Sequence, residues 1–303
     1  MATPPKLVFE RSFDPQTGKA VAAAPGLMRV TAPNASPYTF TGTNSFLVGH
    51  EQLALIDPGP DDSGHRAALE QAIAGRPVSA IILTHTHRDH SAGAARLAAE
   101  LNAPLWFGGA HRLSRPLRPG ETNALRRSSD WELQPDRVLR DGETILAGDL
   151  ELLVHTTPGH CANHLAFGLA GTDTVLTGDH VMGWNSTLVA SPDGSMADYL
   201  QSLEKLIALP YRRYVPAHGG PIDDGPGYAQ ALLAHRQERN RQIIAAVEQG
   251  AHSVAAIVRA LYPDVSLPVR RAAAMTVGAQ LEYLADLGRL RLRPGLLGLR
   301  VSL

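Results

Sequence analysis

The apolar run Ala80-Ile81-Ile82-Leu83 ends in Thr84-His85-Thr86-His87-Arg88-Asp89-His90, and this join limits the fold more than any other stretch. A short aliphatic run bounded by polar residues reads as a buried strand. Side chains alternate along extended chain, so His85 and His87 project to one side. Asp89 and His90 follow at the turn, just before Ser91 and a helix. Four groups able to ligate a metal therefore stand within six residues. Core packing has no use for such a set, because each buried imidazole or carboxylate needs a partner.

Three other strand ends offer more of the same chemistry. Thr156-Thr157-Pro158-Gly159-His160 supplies His160, Leu176-Thr177-Gly178-Asp179 supplies Asp179, and Val215-Pro216-Ala217-His218-Gly219 supplies His218. Each sits beside Gly or Pro, where a loop presents side chains from a rigid scaffold. The chain has 13 histidines and a single cysteine, Cys161. One cysteine forms no internal disulfide and no thiolate zinc ribbon, which fits a reducing cytoplasm. Any metal is left to imidazole and carboxylate. Cys161 neighbours His160 but reads as a small buried apolar residue.

The set His85, His87, Asp89, His90, His160, Asp179 and His218 resembles the metallo-β-lactamase superfamily. Thr43-Asn44-Ser45-Phe46-Leu47-Val48-Gly49 and Leu55-Ile56-Asp57-Pro58-Gly59 are similar to its opening strands. The resemblance covers residues 40–220. It implies an α/β fold of α+β layers, an αββα sandwich of two mixed sheets with helices outside. It implies that His85, His87 and His160 bind one metal, that Asp89, His90 and His218 bind a second, and that Asp179 bridges them. Two Zn²⁺ per chain suit these ligands, as do Fe or Mn. The implied nucleophile is a metal-bridging hydroxide, with Asp89 and Asp179 the catalytic carboxylates. Asp57 and His164 are candidates to orient ligands from behind.

The rest of the catalytic portion alternates strand candidates (46–48, 53–56, 80–83, 152–154, 174–176, 214–215) with helical patterns (64–74, 92–101, 197–209). The tail differs in charge and in pattern. From residue 235 onward ten arginines face five acids, so the tail carries +5 and residues 1–234 carry −6. Its pattern predicts a helix over 235–249 closed by Gly250, a second capped by Ser253, and a third from Pro268 to Leu287. A hairpin follows, with 289–293 and 297–301 as strands around Pro294-Gly295. Three helices and a hairpin outline a winged helix, placing a catalytic domain at 1–232 and a winged-helix-like domain at 233–303.

This tail, with His235-Arg236-Gln237-Glu238-Arg239 at its start and Trp184-Asn185-Ser186-Thr187 near Asp179, is similar to the β-lactamase-like protein 2 group. That resemblance implies cleavage of single-stranded RNA, with Trp184 either stacking a base or anchoring its loop. Hydrolysis of a β-lactam, lactone or thioester stays open beside it, as does a minor alternative, a DNA-binding regulator. No basic stretch followed by a long apolar segment opens the chain, and no run reaches the length of a membrane span, so neither a leader nor a membrane partner is expected.

Overall fold

The computed structural model describes residues 7–295 and 298–303. Residues 1–6, where the expectation of no leader begins, lie outside the described residues, as does Leu297, the expected start of the last strand. The first sheet is built from β1 (Ala20–Ala24), β2 (Leu27–Thr31), β3 (Asn44–Gly49), β4 (Leu53–Ile56), β5 (Val78–Ile82), β6 (Leu105–Phe107) and β7 (Arg137–Val138), in that spatial order. Helix α1 (Ser63–Ile73) joins β4 to β5, while α2 (Arg88–Ser91) and α3 (Ala94–Leu101) precede β6. β1 to β4 pair antiparallel; β4 to β7 pair parallel. The second sheet has the order β12-β11-β10-β9-β8. Its strands are β8 (Thr144–Ala147), β9 (Leu150–Thr156), β10 (Leu165–Leu169), β11 (Thr174–Gly178) and β12 (Arg213–Pro216), with α4 (Met196–Ala208) before β12.

Period-2 alternation sorts the apolar residues into layers. In β4, Ala54 and Ile56 enter the core between the sheets, while Leu53 and Leu55 enter the core beneath α1 and α3. β3 divides likewise, with Phe46 and Val48 inward and Leu47 outward. On the far face of the second sheet, Val175 and Tyr214 meet Tyr199, Leu203 and Leu206 of α4. Helix, sheet, sheet and helix thus stack in four layers, the expected αββα sandwich. Each such aliphatic side chain, fully buried, contributes about 1.5–3 kcal/mol.

All six strand candidates and all three helical patterns of the catalytic portion appear within a few residues of their expected positions. β10 escaped notice because Ala166 and Gly168 weaken its strand signal. Its Gly168 is required by packing, since a Cβ there would lie 1.8 Å from the Tyr211 hydroxyl.

The tail forms α5 (Gly225–Glu248), α6 (Val254–Leu261), α7 (Leu267–Asp286) and the hairpin β13 (Arg291–Gly295) with β14 (Gly298–Ser302). Ser253 caps α6 by accepting from Ala256 N, and Pro268 stands in the first turn of α7. Two features differ from expectation. α5 starts ten residues before His235, capped by Asp224, and runs unbroken through residues 232 and 233. Pro294 and Gly295 do not separate the strands; they pair with Leu299 and Gly298 inside the ladder. A two-stranded ribbon is all edge, the setting in which a strand tolerates proline. These helices enclose their own core of Ile243, Val247, Ile257, Val277, Leu281 and Val301, yet Ala279 of α7 joins the core around α4.

Arg115 ties that docked helix down. Its Nε donates to Glu282 of α7 at 2.9 Å and its Nη1 to Glu121 at 2.7 Å. Arg115 thereby pulls the Glu121 carboxyl down to about 2. A depressed carboxylate stabilises the fold above its unfolded value, about 4.3, and loses that contribution as pH falls toward 2. After allowance for solvent at this partly exposed pair, Glu121→Gln should cost about 1 kcal/mol at pH 7, or about 2 °C in Tm. Melting both proteins from pH 7 to pH 2 should show that difference closing. A gap that persists at pH 2 would show that the ion pair is not its source.

Candidate metal centre

The expected ligands converge where strands of both sheets end. β5 stops at Ile82, and the next residues carry His85 and His87 across the gap between the sheets. Asp89 and His90 stand on the one-turn helix α2 instead of a simple turn. His160 follows β9, Asp179 follows β11 and His218 follows β12. Two glycines make the approach close enough. A Cβ on Gly159 would lie 2.3 Å from Tyr199 Cα, and one on Gly178 would lie 2.6 Å from His164 Nε2. Both also hold positive φ, at +138° and +51°, which glycine alone adopts freely.

His85 Nε2 lies 3.1 Å from His87 Nδ1, which lies 2.8 Å from His160 Nε2. The opposite ring nitrogens have fixed partners. His85 Nδ1 meets Thr84 Oγ1 at 3.0 Å, His87 Nε2 meets Asp193 Oδ2 at 2.8 Å, and His160 Nδ1 meets the Leu188 carbonyl at 2.7 Å. Thr84 Oγ1 gives its own proton to Asp57 Oδ2 at 2.6 Å, so it accepts from His85. Every outward nitrogen is then an N–H, and every inward one a lone pair. Three lone pairs pressed together repel one another unless a cation sits among them. Burial, helped by the neighbouring imidazole of His87, pushes His160 down to about 4, which keeps it a neutral ligand at pH 7.

A second group lies alongside. His90 Nε2 is 3.5 Å from both Asp89 Oδ2 and Asp179 Oδ1, and His218 Nε2 is 3.4 and 3.3 Å from the same two atoms. Asp179 Oδ2 reaches back to His160 Nε2 at 3.6 Å, so this carboxylate touches both groups. The tautomers are again set from behind, by Asp57 for His90 and the Gly42 carbonyl for His218. His90 Nε2, His218 Nε2 and Asp179 Oδ1 are buried without a hydrogen-bond partner among the described residues. Burial would lower His218, but Asp179 and Asp89 outweigh it and raise it to about 9. Burial would likewise raise both carboxylates, yet His90 and His218 hold them well below the usual range. Without a cation the two carboxylates draw protons onto His90 and His218, positive charge that a bound metal would supply instead. His85, His87 and His160 form one cluster able to hold a metal ion, Asp89, His90 and His218 another, and Asp179 with His85 and His90 a third between them.

The remaining sequence candidates fall as follows. Asp57, fully buried, accepts from Thr84 N at 2.7 Å and from His90 Nδ1 at 2.9 Å. His164 Nε2 accepts from Asp179 N at 3.1 Å, which holds the start of the Asp179 loop. Trp184 is 8% exposed and stacks on Phe40 with ring centroids 4.9 Å apart. The buried Cys161 thiol bonds to Asn163 and stays outside all three clusters, and burial pushes its pKa well up.

Two functional neighbours carried no sequence signal. Asp193 accepts from His87, from His111 Nε2 at 3.0 Å and from Asn123 Nδ2 at 3.0 Å. His111 is in turn oriented by Thr86 Oγ1 at 2.9 Å. Ser191-Pro192-Asp193-Gly194 looks like any turn, and only the folded chain brings it behind His87. Asp193→Ala should weaken metal at the first cluster about 10- to 100-fold while sparing the second. Competition against a chromogenic chelator measures this, and unchanged affinity at both would refute the positioning role of Asp193.

Residues 38–218 match the family model of the metallo-beta-lactamase superfamily. The chain belongs to that superfamily. It is a hydrolase of a family whose enzymes depend on two metal ions, with a His-rich site to match. Among similar proteins is the beta-lactamase-like protein 2 homolog of Caenorhabditis elegans, 26% identical over 265 residues, covering 86% of this chain and 84% of that one. Another is the atrochrysone carboxyl ACP thioesterase of Aspergillus fumigatus, 28% identical, covering 74% of this chain and 66% of that one. The crystal structure of a metallo-beta-lactamase family protein from Thermus thermophilus superposes with a TM-score of 0.76 at 27% identity. It covers 93% of this chain and 99% of its own. No helix among the described residues is long and apolar enough to cross a membrane.

Proposed function

We propose that the protein hydrolyses a small carbonyl substrate, a thioester in preference to a β-lactam or lactone. The cavity above the metal centre carries this reading. It encloses about 550 Å³ and runs from His87, Asp89, His160 and Asp179 to Val269, Ala273 and Met275 of α7. A cleft of this size with one polar end and one apolar wall suits an acyl group whose carbonyl lies at the polar end. His85, His87 and His160 would hold one cation, Asp89, His90 and His218 the other, and Asp179 both. The inward lone pairs and orphaned carboxylate oxygen described above fit that load, with Zn²⁺ favoured and Fe or Mn as alternatives the donors also accept. When bound, the cations polarise the scissile carbonyl and make water a nucleophile near neutral pH. Asp57 and Asp193 keep the ligand rings in register. The Asp89 carboxylate faces the cavity and carries a proton from the attacking water to the departing thiolate.

The thioesterase named among the relatives supports the same reading. Single-stranded RNA draws less support. One face of Trp184 is taken by Phe40, and among the described residues the guanidinium groups lining the cavity are those of Arg88 and Arg236. We read residues 233–303 as a winged-helix-like unit whose third helix walls this cavity, in place of a nucleic-acid arm or a DNA-binding regulator. A reducing cytoplasm is the compartment this reading assigns to a chain with one free cysteine. Metal-loaded protein should be offered a medium-chain acyl-pantetheine thioester, a chromogenic cephalosporin, an acyl-homoserine lactone and single-stranded RNA. The thioester is expected to turn over fastest. RNA cleavage with the thioester untouched would reverse the assignment.

A further inference from the structure

We infer that Arg236 is an anion-binding head within the cavity, selecting acyl substrates that bear a carboxylate remote from the scissile carbonyl. The inference rests on the carbonyl-hydrolase reading above and narrows its substrate class.

Arg236 projects from α5, is only 3% exposed, and lines the cavity together with the metal-facing side chains. Its guanidinium donates to the Thr187 carbonyl and lies over the Tyr199 ring, 5.3 Å from the centroid. Its Nε has no hydrogen-bond partner, and no carboxylate comes within 4.0 Å of it among the described residues. Among the described residues Arg239 also has an unpartnered Nε and no carboxylate within 4.0 Å, but it bonds to Gln242 and does not line the cavity; others are paired. Arg241 pairs with Glu238 and Arg115 pairs with two glutamates. A buried guanidinium without an anion is costly, and the cost is met when something else supplies the negative charge.

Its position says what that something is. Thr187 Oγ1 donates to the Asp179 carbonyl at 2.7 Å, so the residue that holds Arg236 also holds the loop of the shared carboxylate. The guanidinium therefore stands one residue removed from the Asp179 backbone, in the same cavity that α7 walls. A monoanionic carboxylate matches one guanidinium, whose flat fork suits it. A dianionic phosphate would want further cations, and Arg88, the other guanidinium of the cavity, is exposed at its mouth.

The test compares pantetheine thioesters of adipic acid, with its free distal carboxylate, and of adipamic acid, its neutral amide. Wild-type protein should favour the carboxylate by about 10- to 100-fold in kcat/KM, the range of a buried charge-assisted hydrogen bond. Arg236→Met should collapse that ratio to about one, whatever it does to either rate, since no cation then reads the charge. A merely structural Arg236 would lower both rates together and leave the ratio intact, which overturns the inference. Arg236→Lys covers the case in which the Met variant does not fold. It keeps the charge but loses the fork, and should lie between the two ratios. Turnover is not the only readout. Calorimetric titration of metal-free protein with hexanoate and with hexanamide should show a preference for hexanoate that Arg236→Met erases. If no thioester is hydrolysed but this binding preference appears and vanishes as stated, the thioester reading fails and the anion site stands. If thioesters are hydrolysed and neither ratio responds to Arg236, the anion site fails alone.

Discussion

Asp179→Asn is expected to lower kcat/KM for the preferred thioester by at least about 10³, or about 4 kcal/mol of transition-state stabilisation. Asp179 reaches both ligand clusters, with Oδ1 3.5 and 3.3 Å from His90 and His218 and Oδ2 3.6 Å from His160. Asparagine keeps the shape but removes the charge. It also turns an amide N–H toward inward lone pairs or toward the second cluster, where either cation would have sat. Metal content by plasma emission should fall below two equivalents per chain. The melting temperature should fall, because His90 and His218 lose the carboxylate they are paired with and bound metal is lost with it. Two full equivalents with wild-type kcat/KM would refute the bridging role assigned to Asp179.

The second large effect is on the fold as much as on the metal. Asp57→Ala should cost about 3 kcal/mol and about 6–12 °C in Tm. Asp57 is fully buried and accepts from Thr84 N, Thr84 Oγ1 and His90 Nδ1. Its removal strands three donors in the core. The residue also holds φ at +50°, a conformation that aspartate and asparagine tolerate better than alanine. Asp57→Asn separates the two contributions. It should recover part of the Tm, because it accepts one hydrogen bond and sits comfortably at that φ. It should still lose about 10- to 100-fold in metal affinity at the second cluster, because the carboxylate behind His90 is gone. Scanning calorimetry and chelator competition on the two variants check these outcomes. An Asp57→Ala protein as stable as wild type would remove Asp57 from this account.

Much of this site could be read from the chain because its ligands stand next to features with strong local signatures. His85, His87 and His160 follow apolar runs, and Asp179 and His218 sit beside glycine. A short β-branched run announces a strand, and a polar residue at its end announces a loop over a sheet edge. Six strands escaped notice, β1, β2, β6, β7, β8 and β10, and two of them lack that contrast. β7 has only two residues, both exposed, and β10 dilutes its apolar residues with Ala166 and Gly168. Capping chemistry served the tail equally well. Ser253 and Pro268 marked helix starts that the structure contains, while the start of α5 was hidden behind Gly225-Pro226-Gly227, a stretch that reads as a loop. Asp224 caps that helix, and Pro226 is compatible with its first turn.

The sequence alone determined the inventory: which residue types could bind metal, that thiolate was not among them, and which runs would form the strands that carry the ligands. Local chemistry suffices for that, since ligand identity and period-2 alternation are properties of short stretches. Only the tertiary structure decided which groups stand behind the ligands and what the site faces. Asp193 meets His87 from 106 positions away, and His111 holds Asp193 from a separate loop. Arg236 and the apolar side of α7 complete the cavity from the other end of the chain. Such pairings are set by how layers pack, and packing distance has no trace in sequence spacing. The winged-helix-like tail with its net +5 became a wall of the cavity for the same reason: its charge was legible residue by residue, while its docking depended on Ala279 and Glu282 finding partners far away in the chain.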